Sequence, residues 1–440
     1  MDDADSNNNN NTINFQVPGS VRFILDTIRG AGYEAYIVGG CVRDRLLGRE
    51  PDDWDITTSA LPEQVKGLFS VTVDTGIQHG TVMVLRGGRG YEVTTYRVDG
   101  AYKDGRHPES VVFTPNLEED LKRRDFTINA FAYDPESGIV DLFGGLDDLR
   151  GGIIRAVGDP DKRFDEDALR IMRAVRFSAQ LSFGIEEKTR NAISAFAPKL
   201  ALVSRERIRV EFEKTIYSDN PAYVNEYRRL GLAQYIVPEL YGRCFLDESE
   251  RLWEQIPADD EDVDVLRLAA FFMGLKSGEC STVMRKMTFD NRTRDLVSGI
   301  LKYRSGSSET QGGCRDAVSG LSQSRDNAAE QADSLAEQFW DPAPISIRKA
   351  LRICGAETYR LGLKFRKAQG LDVHESEKQF ENILQRGEAY NISMLDITGA
   401  DLMDAGIPQG KRIGETLNML LDKVIEDPQL NNKEVLIKFI

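Results

Sequence analysis

The chain has 440 residues, 41% of them hydrophobic, and a formal net charge of -15. That length exceeds one ordinary domain and calls for two to four. The acidic balance excludes binding to nucleic acid through overall charge, so any such contact needs a local basic patch.

The N-terminus is acidic and then runs through Asn7 to Asn11. Residues 1–18 are predicted as a disordered tail, not a signal peptide. Residues 21 to about 155 alternate helices with strands. "EAYIVGG", "WDITT", "GTVMVL" and "GYEVTTYRV" are rich in Val, Ile, Thr and Tyr and bounded by Gly, Pro or Asp, as strands are. "LPEQVKGLF" is a predicted helix with Pro62 in its first turn. From about residue 160 helical periodicity dominates to the C-terminus. "PADDEDVD" (257–264) reads as a solvated acidic loop or helix start, and "SGSSETQGG" (305–313) as a turn-rich linker.

"VGGCVRDRLLGREPDDWDITT" carries the first chemistry. A strand ends at Gly39-Gly40 and a helix is predicted from about Val42. Two glycines let a ligand approach the backbone, the helix start offers free N–H groups to a phosphate, and Arg43 adds a charged fork. The plain alternative is a tight strand–helix turn. Asp53 and Asp55 flank Trp54, and in an extended segment residues i and i+2 share a face. Two adjacent carboxylates repel unless a cation sits between them, and Mg2+ takes oxygen ligands shared with substrate phosphates. Read otherwise, they are exposed loop aspartates. Together with a phosphate turn they suit nucleotidyl transfer. Glu92 on "YEVTTYR" is either a third carboxylate of this site or an ordinary strand residue.

In "EEDLKRRDFTINAFAYD" (118–134), Asp125 is predicted to cap a helix "FTINAFAYD". Arg124 or its neighbour Arg123 is placed to grip a phosphate. The alternative is a solvated charged helix. "VDLFGGLDDLRGGIIRAVGDP" adds a strand, a Gly-Gly turn and a short helix. "FDEDALRIMRAVRF", from Phe164, combines apolar residues with Arg170, Arg173 and Arg176. "VSRERIRVEFEK" (203–214) reads as an alternating-sign supporting helix, capped by Ser204 and carrying an Arg207–Glu211 pair.

Taken together, "GGCVRD" with "DWD", "DGAYKDGRHP", "RRDFTINA", "DLFGGLDDL", "FDEDALRIMRAVRF" and "VSRERIRVEFEK" resemble the class II tRNA nucleotidyltransferases, the bacterial CCA-adding enzymes. They span roughly residues 35 to 215. The head of that family is shared with bacterial poly(A) polymerases. The resemblance implies an α+β fold: a polymerase-β-like nucleotidyltransferase head (19–158) followed by an all-α neck (159–220), body (221–330) and tail (331–440). It implies that Asp53 and Asp55 hold catalytic Mg2+. Gly39, Gly40, Arg43 and Arg124 would contact the triphosphate; Asp167, Arg170, Arg173 and Arg176 would contact the incoming nucleotide. The implied partners are tRNA, at its 3′ end and elbow, with CTP and ATP; no protein partner is evident. The implied reaction adds C, C and A to tRNA without a nucleic-acid template. An A-adding enzyme or poly(A) polymerase with the same head, and a catalytically silent RNA-binding protein, are the alternatives. The polar segment 99–108 speaks for A addition.

Asp167 and Arg170, three apart, are expected on one helical face. An ionised Asp only accepts hydrogen bonds and Arg only donates them. Cytosine and adenine each offer an amine beside a ring acceptor and fit this pair. Uracil and guanine present the reverse, and each mispaired buried group costs about 1–3 kcal/mol. The alternative is a buried helix whose arginines pair with Asp165, Glu166 and Asp167.

The three histidines, His79, His107 and His374, are too scattered for the metal-binding phosphohydrolase domain of some relatives. In the tail, "ITGADLMDAGIPQGKRIGETLNMLLDKV" (397–424) reads as helix, turn, helix, with Gly406, Gly410 and Lys411 at the turn. It is either an RNA-phosphate contact or a packing turn. The five cysteines are widely spaced, odd in number and without a C-x-x-C pair. They predict a reducing compartment and no structural zinc. With no apolar run of membrane-spanning length, the chain is expected to be cytoplasmic.

Overall fold

Strand β1 (Ala35–Val38) lies near the middle of a seven-stranded mixed sheet. In chain order follow β2 (Asp55–Thr58), β3 (Thr72–Gly76), β4 (Thr81–Arg86), β5 (Arg89–Thr95), the separately paired β6 (Arg97–Asp99) and β7 (Val111–Phe113), then β8 (Phe131–Asp134) and β9 (Gly138–Asp141). The sheet order is β3-β4-β5-β2-β1-β8-β9. Only its β2–β5 pair is parallel. The structure is a computed structural model and describes residues 15–100, 111–240, 246–303 and 339–440. Most of the predicted N-terminal tail, the segment "AYKDGRHP" and the linker 305–313 lie outside the described residues.

The chain divides into two units, Met1–Tyr241 and Gly242–Ile440. In the first, helix α1 (Gly19–Gly30) buries Val21, Ile24, Leu25 and Ile28, a helical stripe, in one core cluster with Ala35, Ile37, Ile56, Tyr91 and Val93 of the sheet. Helices α2 (Gly40–Leu46) and α3 (Pro62–Leu68) follow β1 and β2, and α4 (Leu117–Lys122) covers the other face. There Val38 and half-buried Tyr36 cluster with Leu121 and Leu117. Side chains alternate along a strand. Asp55 and Thr57 of β2, and Glu92 and Thr94 of β5, therefore face the α4 side. The parallel register Ile56↔Val93 sets Glu92 beside Asp55.

Three predicted elements differ. The helix expected from Val42 begins at Gly40, because Gly39 takes φ 82° and turns the chain one step earlier. "FTINAFAYD" is not a helix. Thr127–Asn129 form a short 3-10 turn, and Phe131–Asp134 form β8, whose Ala132 and Tyr133 pair with Val38 and Ile37. Strand pairing and complete burial of Phe131, Ala132 and Tyr133 override the local pattern. Asp125 thus caps no such helix. "PADDEDVD" is not simply solvated either: Asp260 and Asp262 are ion-paired to Lys364, and Asp262 also to Arg360.

The rest of the first unit is helical: α5 (Gly145–Gly151), α6 (Pro160–Glu166), α7 (Leu169–Leu181), α8 (Glu187–Phe196) and α9 (Arg205–Ile216). The second unit is helical among its described residues. Its long helix Pro344–Ala368 is kinked at Gly355 (φ 78°, ψ 163°). One core holds Trp340, Tyr359, Leu363 and Phe380; another holds Leu402, Leu420, Leu421 and Val424. Among the described residues no helix is long and apolar enough to cross a membrane.

Candidate active site

The turn after β1 brings the first residues together. Gly39 occupies left-handed φ that a side chain rarely adopts. A Cβ there would stand 3.0 Å from Arg124 Nη1 and 3.8 Å from Asp55 Oδ2. The glycine therefore makes room for a guanidinium and a carboxylate from two other elements. At the next residue, Gly40, an added Cβ would stand 3.6 Å from Arg43 Nη2. Arg43 is buried: it donates to Asn129 Oδ1 at 2.6 Å and to Asp44 Oδ1 at 2.9 and 2.8 Å.

Asp55 opens β2, while Asp53 precedes the strand and is exposed. Burial raises the Asp55 pKa; Arg124 opposes this, and the Glu92 and Asp53 carboxylates add to it. The Glu92 and Asp53 carboxylates thus both act on Asp55 through their charge. The donor set is all oxygen, which suits a hard divalent cation. Among the described residues no group of three or more His, Cys, Asp or Glu could hold a metal unaided. A cation here must complete its shell from substrate oxygens or water, as Mg2+ commonly does.

Behind the pair, α4 supplies Arg123 and Arg124 at its C-terminal end. "EEDLKRRD" reads as a solvated helix, yet Asp120 is fully buried. It accepts from Arg123 Nε and Nη2 at 3.0 and 2.7 Å and from Thr57 Oγ1 at 3.2 Å. It also lies 3.6 Å from Arg124 Nη2. Burial alone would raise its pKa, but Arg123, Arg124 and the hydrogen bonds bring it below the ordinary carboxylate value. Arg124 Nε is buried without a hydrogen-bond acceptor, an orphaned donor that an anionic ligand would satisfy.

The base-reading segment folds differently from expectation. α6 ends at Glu166, Asp167 is extended (φ -143°, ψ 103°), and α7 begins at Leu169. Asp167 and Arg170 therefore straddle a helix junction; Arg170 N donates to the Asp167 carbonyl at 3.0 Å, while each side chain bonds to other partners. Asp167 Oδ1 accepts from Leu169 N at 3.0 Å and Oδ2 from Arg207 Nη2 at 2.8 Å. Arg170 donates to Glu166 Oε2 at 2.6 Å and to the carbonyls of Arg163 and Arg123 at 3.1 and 3.0 Å. The expected Arg207–Glu211 pair is replaced: Arg207 turns to Asp167, and Glu211 takes Arg176. A carboxylate accepts about four hydrogen bonds and a guanidinium donates five, so both groups keep capacity for a ligand.

Arg173 and Arg176 sit deeper. Arg173 donates to Asp125 at 2.7 Å, and Asn129 donates to the other oxygen of the same carboxylate at 3.2 Å. Burial would raise the Asp125 pKa, but the Arg173 charge and these hydrogen bonds hold it well below the usual carboxylate range. Arg176, 7% exposed, is ion-paired to Glu211 at 2.9 Å. Burial pulls its pKa down to about 10; Glu211 opposes this, while Arg173 and Arg43 add to it. The guanidiniums of Arg43, Arg173 and Arg176 gather 5.1, 5.3 and 4.0 Å from the Phe177 ring. Arginine faces stack on aromatic rings, which helps to accommodate them.

In the second unit, Gly406 (φ 94°) follows the helix Gly399–Asp404 and Gly410 (φ 130°) precedes the helix Lys411–Glu426. The hairpin between them is largely exposed, and the Lys411 side chain is 91% exposed, with Glu415 at 3.3 Å. Residues that sequence reasoning missed are Asp120, Asn129 and Glu211, and the true partner of Arg207. Their signal was weak, because charged residues at helical spacing read as a solvated face.

The family described as "Poly A polymerase head domain" matches residues 35–155, an "RNA and SrmB- binding site of polymerase A" matches 182–242, and a tRNA nucleotidyltransferase domain 2 matches 321–440. A CCA-adding enzyme of Ligilactobacillus salivarius is 38% identical over 422 residues, 94% of each chain. One of Lactiplantibacillus plantarum is 37% identical over 425 residues, again 94% of each. The crystal structure of the Bacillus stearothermophilus CCA-adding enzyme in complex with CTP superposes with a TM-score of 0.73 at 32% identity, covering 95% of each chain. With relatives of this identity along nearly its whole length, the chain belongs to the CCA-adding enzymes, a family of metal-dependent nucleotidyltransferases.

Proposed function

We propose that this chain adds C, C and A to the 3′ end of tRNA from CTP and ATP, releasing pyrophosphate, with its own side chains in place of a nucleic-acid template. The observation that carries the reading is the convergence of Gly39, Asp55 and Arg124, with a buried Arg124 Nε lacking an acceptor. An anionic triphosphate supplies that acceptor, and Arg43 faces the same turn over Gly40. The tRNA 3′-hydroxyl attacks the α-phosphorus, and pyrophosphate departs. Asp53 and Asp55 are assigned to hold Mg2+, with Glu92 beside them. Bound there, Mg2+ supplies neutralisation of the carboxylate pair, activation of the attacking hydroxyl and a clamp on the triphosphate.

Asp167 accepts from the exocyclic amine of C or A, and Arg170 donates to the ring nitrogen beside it. Their tethers to Arg207 and Glu166 fix where they stand. Arg173 and Arg176 back them through Asp125 and Glu211. In this reading the head (19–158) carries the chemistry, the neck (159–220) reads the base, and beyond the helical body (221–330) the tail (331–440) holds tRNA. The test is to incubate the protein with tRNA ending before CCA, with CTP and ATP together and singly, and to sequence the 3′ ends. CCA supports the reading. A lone A on tRNA-CC or a long A tail replaces it with an A-adding enzyme or poly(A) polymerase, and no extension overturns it.

A further inference from the structure

One buried carboxylate links β2, the start of β6 and the two arginines that follow α4. Asp120 is 0% exposed on α4. It accepts from Thr57, two residues after Asp55 on β2, and from both Nε and Nη2 of Arg123. The Arg97 backbone N–H approaches it at 3.4 Å, at the start of β6. Its second oxygen lies 3.6 Å from Arg124 Nη2, while Nη1 of the same guanidinium lies 3.0 Å from where a Gly39 Cβ would stand. Arg124 is thus drawn by one nitrogen toward Asp120 and presents another to the glycine turn. The carbonyl of Arg123 in turn accepts from Arg170.

We propose that Asp120 is the positioning residue that sets the Arg124 guanidinium over the Gly39 turn for the nucleotide triphosphate. It touches neither substrate nor the reacting atoms; it acts through Arg124. A carboxylate suits this place because one charge, anchored by Thr57, can orient two neighbouring arginines. A neutral residue of the same size leaves Arg124 free to leave the turn. This inference rests on the reading that Arg124 binds the triphosphate.

The experiment is a double-mutant cycle on the full chain, with Asp120→Asn, Arg124→Ala and the double variant, reading KM and kcat for CTP and ATP with tRNA saturating. Asp120→Asn is expected to raise KM for both nucleotides about tenfold, with a smaller change in kcat. In the Arg124→Ala background the same substitution is expected to change KM less than twofold, because groups acting through one another are not additive. An equal effect in both backgrounds overturns the proposal, as does an unchanged KM in Asp120→Asn. An unchanged KM in Arg124→Ala alone instead overturns the role given to Arg124. If Asp120→Asn does not fold, Asp120→Glu, which keeps the charge and shifts it by a methylene, enters the same cycle with the same outcomes. Failure of both to fold assigns Asp120 to folding alone and overturns the proposal.

Discussion

Arg207 Nη2 donates to Asp167 Oδ2 at 2.8 Å, so a helix forty residues downstream holds the carboxylate we propose as the base reader. Asp167 sits in extended backbone between two helices, its N–H donating to the Arg163 carbonyl at 3.4 Å and its carbonyl accepting from Arg170 N at 3.0 Å, and Arg207 fixes its side chain. Asp167→Ala is expected to relax the choice among nucleotides, lowering the preference for CTP over UTP in kcat/KM by about tenfold or more. Arg207→Ala is expected to do the same more weakly, since the carboxylate remains but is no longer fixed. Both proteins should keep the parent Tm within a few degrees. Unchanged discrimination in Asp167→Ala would remove it from base reading.

Gly39→Ala is expected to impair nucleotide use while the fold survives. The residue holds φ 82° and ψ -139°, a conformation that favours glycine and where a side chain costs about 1–3 kcal/mol of strain. The new methyl would also lie 3.0 Å from Arg124 Nη1 and push it aside. The expected outcome is a fall in kcat/KM of about tenfold for CTP and ATP alike, with thermal stability lowered only modestly. Steady-state kinetics with saturating tRNA, beside a thermal melt, checks both.

The Asp125–Arg173 pair sets an acid limit on stability. The folded-state pKa of Asp125 is depressed, so its contribution is fully present above the unfolded value near 4 and is lost as pH falls through the folded one. The neutral pH range should therefore show no step from this group. Asp125→Asn leaves Arg173 without its buried partner and is expected to destabilise at pH 7 by about 3 kcal/mol. Relative to the variant, the parent should lose its advantage below about pH 4. Unfolding curves of both from pH 3 to 7 decide this; a constant difference across that range would contradict the assignment.

The glycine turn is legible in sequence because its geometry is local: a strand, a turn and a helix within a few residues; of the D-x-D pair, Asp55 opens β2 while Asp53 lies before the strand and is exposed. The convergence of Arg124 on that turn is not legible, since it depends on α4 crossing the α-facing side of the sheet. Asp120 was hidden for the same reason: nothing in "EEDLKRRD" separates a buried acidic residue from its exposed neighbours. "FTINAFAYD" has a helix-compatible pattern and becomes a strand only because β1 is there to pair with. At Asp167 the local cap on Leu169 N is joined by a long-range partner, Arg207, that the sequence does not show. Local chemistry was read from the residues, and long-range partners were not.

Asp53→Ala is expected to abolish nucleotide incorporation while tRNA still binds. Asp53 is exposed and makes none of the core contacts, so its loss should not disturb the fold. What it removes is one of the two carboxylates we propose to hold Mg2+. Incorporation assays at rising Mg2+, beside a tRNA filter-binding or gel-shift measurement, separate the two effects. Retained incorporation would take Asp53 out of the metal site.

Lys411→Ala tests the tail hairpin. Its side chain is 91% exposed and paired with Glu415 at its own helix start, an i,i+4 pair of a kind that contributes little to stability. A charge held out from two glycines at a turn is better placed for an RNA phosphate than for packing. The substitution is expected to weaken tRNA binding by a few-fold, equally for tRNA ending before CCA, in C and in CC. The slope of log affinity against log salt should fall by about one. A phosphate contact carries no sequence information, so the order of nucleotides added should not change. An unchanged tRNA affinity and salt slope would leave the hairpin as a packing turn between the Gly399–Asp404 and Lys411–Glu426 helices.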